Sequence, residues 1–221
     1  MSITLYEANR YQPDICKSLT TAWLGQMMRG TNYGELWCAT AHAATENDAF
    51  YQSHCQQQAQ LECTEQLKAQ KNIQMLLTQT NFMQNHPNES VALVMARTPA
   101  IDSLTSQKTK KIMLMRVRNI KVVRSTDNID LIGLKAEFNK LSDTTRYYVV
   151  QVRANSGSHA IAVVSTKAKG IFSPSGYLYY YDPNLKKVVR WSSREEMKGF
   201  LDKTLLKDYR SINGIWQVQA M

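Results

Sequence analysis

Between Arg146 and Trp191 the chain passes through short segments rich in β-branched and aromatic residues, each set off by turn-forming residues: Arg146 to Arg153, Ser158 to Thr166, Gly176 to Asp182 and Lys187 to Trp191. They read as four successive antiparallel strands, and this meander constrains the fold more than anything else in the chain. Ser192-Ser193 then caps a helix from Arg194 to Lys207, whose first-turn acids Glu195 and Glu196 suit the positive end of the helix dipole. Ser211 to Gln219 makes a last strand.

Upstream the pattern is helical. Residues 1 to 15 look irregular, and Pro13-Asp14 opens a helix over about Ile15 to Met28, with Asp14 as cap or first-turn acid. Its buried side is Leu19, Trp23, Leu24 and Met27, and Gly30 ends it. From Gly34 to about Gln84 the chain is rich in alanine and glutamine and free of proline, which predicts two or three helices broken near Asn47-Asp48 and Lys71-Asn72, with Leu61, Leu67, Met75 and Leu76 as a weak apolar stripe. His86-Pro87-Asn88 is a turn, and Glu89 to Arg97 is a short helix stopped by Pro99. Lys111 to Arg124 reads as a strand or hairpin, and Asp130 to Leu141 as a helix with Leu131, Leu134, Phe138 and Leu141 on one side. Helices first and a meander sheet afterwards describe an α+β domain, helical over about 15–141 and sheet over about 146–219.

At 221 residues, with 43% hydrophobic and 20% charged side chains, the chain supports one well-buried core and is expected to form a single domain. Its net charge of +9 is uneven: the first hundred residues carry 6 basic and 8 acidic side chains, the remainder 21 and 10. Lys108, Lys110, Lys111, Arg116, Arg118, Lys121 and Arg124 meet no acid between Ser103 and Thr126. Such a stretch is either a solvated strand face or a binding patch for an anionic membrane, nucleic acid or an acidic protein. Cys16, Cys38, Cys55 and Cys63 all fall in the first third, without the spacing of a disulfide framework, and are read as reduced thiols. No apolar run is long enough for a transmembrane helix, and Met1 to Glu7 lacks the basic start and apolar block of a secretory signal. Export through a specialised injection machine would leave no such mark.

The chemistry concentrates in three places. Gly157-Ser158-His159-Ala160-Ile161-Ala162 begins one strand with a histidine, and Tyr179-Tyr180-Tyr181-Asp182-Pro183-Asn184 ends another on an acid. In an antiparallel hairpin these fall at the same end of the sheet, where a carboxylate can orient an imidazole. Cys16, at a helix start, gains acidity from the dipole and from any neighbouring imidazolium, the two influences that make a thiol a nucleophile. Each residue also has a plainer role: a buried small hydrophobe, a core histidine, an Asp-Pro-Asn turn. Cys38 and His42 stand at helical spacing with His54, Cys55 and Cys63 beyond them, so a zinc site can be drawn; the paired short spacings of such sites are missing, and no metal or cofactor is expected. Trp23, Trp37, Trp191 and Trp216 are read as core or cleft walls.

The helix-start cysteine in Asp14-Ile15-Cys16-Lys17-Ser18-Leu19-Thr20-Thr21-Ala22-Trp23, the Gly157 to Ala162 strand and Tyr180-Tyr181-Asp182-Pro183-Asn184 resemble the three motif regions of the YopT-like effector cysteine proteases of bacteria. The likeness is continuous from about Leu131 to Tyr209. It implies a papain-like fold, Cys16 as nucleophile, His159 as general base and acid, and Asp182 as orienter, in a protein injected into host cells that acts there on a protein or peptide. It also implies an oxyanion hole formed by the cysteine N–H with a side-chain amide a few residues upstream. Gln12 and Asn9 are available, the spacing does not choose between them, and Gln12 is preferred. Two further readings stand beside the protease: a deamidase, transglutaminase or acyltransferase using the same three residues, and a non-catalytic basic module that binds anionic lipid or nucleic acid. With the protease reading no nucleic-acid partner is expected.

Overall fold

The structure, a computed structural model, describes residues 2–7, 15–43, 49–50, 52–59, 119–140, 144–154, 157–167, 176–184 and 187–221. Its elements in chain order are β1 (Ser2–Glu7), α1 (Cys16–Arg29), α2 (Thr31–Ala43), a helical stretch over 52–59, β2 (Ile120–Asp127), α3 (Leu131–Asn139), β3 (Arg146–Ala154), β4 (Gly157–Ser165), β5 (Leu178–Asp182), β6 (Lys187–Trp191), α4 (Arg194–Asp208) and β7 (Ser211–Ala220). The helices expected beyond residue 59, Glu89 to Arg97, and the start of the Lys111 strand lie outside the described residues, as do the proposed breaks near Asn47-Asp48 and Lys71-Asn72.

The seven strands of the described residues form one antiparallel sheet in the order β1-β6-β5-β4-β3-β7-β2. The expected meander is the run β6-β5-β4-β3 at its centre. One strand departs from the sequence expectation, and one expected strand takes a place the sequence left open. Residues 2–7, expected to be irregular, form an edge strand on β6. β7 returns to lie between β3 and β2, giving β3 a partner on each side. Both joins bring together residues far apart in the chain, so neither leaves a local signal.

Helices cover both faces, and strand parity decides which side chain meets which helix. Val149, Ala160, Ala162, Val164, Tyr179, Tyr181 and Val188 pack with Leu19, Trp23, Leu24 and Met27 of α1 and Cys38 of α2. The alternate residues Tyr148, Val150, Val152, Ile161, Val163, Leu178, Tyr180 and Val189 pack with Leu134 and Phe138 of α3 and Met197, Leu201 and Leu205 of α4. A sheet buried on both faces needs apolar residues at every position, which is why Ala160 to Val164 shows no alternation.

The helix ends follow from their caps, with one exception. Asp130 accepts from the Gly133 amide at 2.7 Å to start α3, and Ser193 accepts from the Glu196 amide to start α4. The α3 and α4 layer is tied by Lys135 to Asp202 and by the Arg194 guanidinium donating to the Phe138 carbonyl. α1 differs from expectation: its cap residue is Ile15, which offers no side-chain hydrogen bond, and its first turn holds no acid, while Asp14 lies outside the described residues. The first helical residue is therefore Cys16 itself.

Candidate active site

α1 lies along β4, where the Thr20 hydroxyl donates to the Ala160 carbonyl at 2.9 Å with both residues buried. That contact fixes the height of the helix on the strand and brings Cys16, one turn earlier, to the start of β4. There stands His159, opposite Val152 in the β3 ladder and 4% exposed. Asp182 closes β5 and is fully buried. Because β4 and β5 run antiparallel, the beginning of one and the finish of the other share an end of the sheet.

The imidazole Nε2 lies 2.8 Å from Asp182 Oδ1. A carboxylate only accepts, so Nε2 carries the hydrogen and Nδ1 is turned the other way. The Cys16 side chain lies close enough to the ring to act on it. Burial by itself would depress the imidazole; the hydrogen bond it donates to Asp182, together with the neighbouring Cys16 and the charges of both, outweighs it and pushes the His159 pKa up to about 9. The ring is thus held as imidazolium across neutral pH, which is the partner a thiolate needs.

Asp182 is saturated with donors. Oδ1 also accepts from the Asn184 amide at 2.9 Å, the Asx turn written in Asp182-Pro183-Asn184, and Oδ2 accepts from the hydroxyls of Tyr180 at 3.0 Å and Tyr209 at 2.6 Å. Neither tyrosine was singled out from sequence. Tyr180 was legible, because residues two apart on a strand share a face with each other; Tyr209, between α4 and β7, has no local pattern to betray it.

Other candidates separate from this cluster. Cys38 is buried in the core with its thiol pushed far up by burial and by Glu35, the behaviour of an inert structural cysteine. His54 is engaged with the Ser18 hydroxyl at 2.6 Å and packed on the rings of Phe50 and Trp37. Among the described residues no three His, Cys, Asp or Glu side chains are placed to hold a metal ion; Cys63 and the His42 side chain lie outside them. Gln12 and Asn9 are also outside the described residues, while Gln58 accepts from the Ser18 amide at 3.1 Å in the first turn of α1. Trp23, Trp191 and Trp216 are core residues, and Trp37 lines a cavity of about 620 Å³ beside α1 to which Cys16, His159 and Asp182 do not contribute. Of the basic stretch only Lys121 and Arg124 are described, on edge strand β2, with Arg124 in a two-pronged pair with Glu137.

Comparison with solved structures fixes the architecture. The chain superposes on the Pseudomonas avirulence protein AvrPphB with a TM-score of 0.55, covering 96% of each chain at 14% sequence identity. The fold is papain-like. No family model matches the sequence, and no curated protein matches it. The likeness is one of backbone architecture, and among the described residues no helix is long and apolar enough to cross a membrane.

Proposed function

We propose that this protein is a cysteine hydrolase that cleaves a protein or peptide, with Cys16 as nucleophile, His159 as proton carrier and Asp182 as the group that orients the imidazole. The observation that carries the proposal is the place of His159, bonded through Nε2 to a buried carboxylate and electrostatically coupled to a thiol at the first residue of a helix. The motif resemblance to YopT-like proteases and the fold likeness to AvrPphB support it.

The reaction follows from these placements. The Cys16 thiolate adds to a substrate carbonyl carbon, and the charge moves to the carbonyl oxygen. The helix N-terminus favours that charge, through the Cys16 N–H together with the side chain of Gln12 in this proposal. As the C–N bond breaks, the His159 imidazolium gives its proton to the departing nitrogen, leaving a thioester on Cys16. A water then loses a proton to the neutral imidazole and attacks the thioester carbon; the C–S bond breaks, an acid is released, and the thiolate and imidazolium are restored. Asp182 keeps Nε2 protonated throughout, so that only Nδ1 exchanges the proton.

A protein with this activity and a likeness to an avirulence protein acts on a host protein after injection into the host cytoplasm, and the basic segment from Lys108 to Arg124 would then hold it at an anionic membrane. Deamidation, transglutamination or acyl transfer would use the same thioester and differ only in what attacks or leaves. To test the reading, host-cell extract is treated with the wild-type chain and with Cys16→Ala, and peptide termini and intact masses are compared by mass spectrometry. New termini that depend on Cys16 are expected. Mass changes on uncut chains would replace hydrolysis by a transferase or deamidase, and identical extracts would overturn the enzyme.

A further inference from the structure

Tyr209 touches both partners of the imidazole–carboxylate pair. Its hydroxyl donates to Asp182 Oδ2 at 2.6 Å, and its ring lies nearly parallel to the His159 ring, with centroids 5.3 Å apart and an interplanar angle of 11°. Tyr180 gives Oδ2 a second hydroxyl, but its ring packs edge-on to Trp191 and Phe200.

The backbone holds Tyr209 firmly. It is the residue that ends α4, its amide bonded to the Leu205 carbonyl at 3.0 Å, and the next amide, of Arg210, donates to the Arg153 carbonyl at 2.8 Å. Arg153 is paired with Ser158, the residue before His159, so the link runs from the end of α4 to the strand edge where the imidazole begins. Tyr209 itself is 4% exposed. Such burial of a phenol is tolerated because its hydroxyl has a charged acceptor.

Resting on the hydrolase reading, we propose that Tyr209 is a positioning residue that locks the imidazole plane and favours its protonated form. The hydroxyl fixes the carboxylate, which fixes Nε2. The ring blocks rotation of the imidazole out of the line joining Asp182 to Cys16. Its electron-rich face also attracts an imidazolium more than a neutral imidazole, so it adds to the stabilisation of the thiolate–imidazolium pair. The charged and titratable groups recorded against His159 are Cys16 from α1, Asp182 from β5 and Tyr209 itself. Tyr209 therefore acts on the nucleophile through two other side chains, the carboxylate and the imidazole.

The test needs no substrate. Alkylation of Cys16 by iodoacetamide is followed against pH in the wild type, Tyr209→Phe, Tyr209→Leu and His159→Ala, with the ring proton signals of His159 titrated by NMR in parallel. In Tyr209→Leu, the rate at pH 6 should fall about tenfold and recover above pH 9, where the thiol ionises unaided, and the imidazole midpoint should move down. Tyr209→Phe keeps the stacked ring and loses only one hydrogen bond, so its loss should be about threefold to fivefold. A role in packing alone would leave both midpoints where they are. If Tyr209→Leu does not fold, Tyr209→Phe with an unchanged alkylation profile and imidazole midpoint overturns the proposal just as well. The two readings fail separately: loss of low-pH reactivity in His159→Ala with no change in the Tyr209 variants sinks only the positioning role, whereas full reactivity in His159→Ala sinks the hydrolase.

Discussion

His159 Nε2 meets Asp182 Oδ1 at 2.8 Å in a site where the histidine is 4% exposed and the aspartate not at all. A charged pair so far from solvent persists only when its remaining valences are filled, and Asn184, Tyr180 and Tyr209 fill those of the carboxylate.

Asp182→Asn should therefore damage chemistry more than structure. The amide can accept from His159 on one side only, and it no longer holds the imidazolium by charge. Cys16-dependent turnover is expected to fall by about 10²–10⁴-fold. Asp182→Ala, which abandons the two tyrosine hydroxyls and the Asn184 amide, should in addition cost about 3–5 kcal/mol in a denaturant titration.

The His159 equilibrium sets a stability dependence on pH. Its folded-state pKa, about 9, stands above the unbound value of 6.5, so the folded chain binds the proton more tightly than the unfolded one. That contribution is present in full below about pH 6.5 and is lost as pH rises through about 9. It amounts to about 3 kcal/mol at most. Denaturant midpoints should decline from pH 6 to pH 9.5 in the wild type, and the decline should flatten in His159→Asn.

Thr20→Val tests whether the seat of α1 on β4 places the thiol. The substitution keeps the shape and removes the 2.9 Å bond to the Ala160 carbonyl. Stability should drop by about 1–2 kcal/mol. Cys16 alkylation at pH 6 should drop with it, because the helix that carries the thiol loses its registration on the strand that carries His159.

Much of this architecture was legible beforehand. Short β-branched runs between turns read directly as β3 to β6, and because adjacent antiparallel strands share ends, His159 and Asp182 could be placed together from spacing alone. Leu19, Trp23, Leu24 and Met27 sit at helical intervals and are the buried side of α1. What escaped has a common cause. The pairing of β1 with β6 and the insertion of β7 beside β3 are long-range choices made by the whole sheet. Tyr209 reaches Asp182 only because α4 returns the chain to the start of β4. At the start of α1, local capping propensity pointed to Asp14, whereas the helix begins after Ile15 without a side-chain cap.

The central claim is that the reactivity of the Cys16 sulfur depends on the His159 imidazole, and alkylation read residue by residue tests it directly. In the wild type, iodoacetamide should label Cys16 rapidly at pH 6 and leave the buried Cys38 untouched, and His159→Ala should suppress that labelling until the pH approaches the ordinary thiol range. Labelling of Cys16 that is equally fast at pH 6 with and without the imidazole would contradict the account.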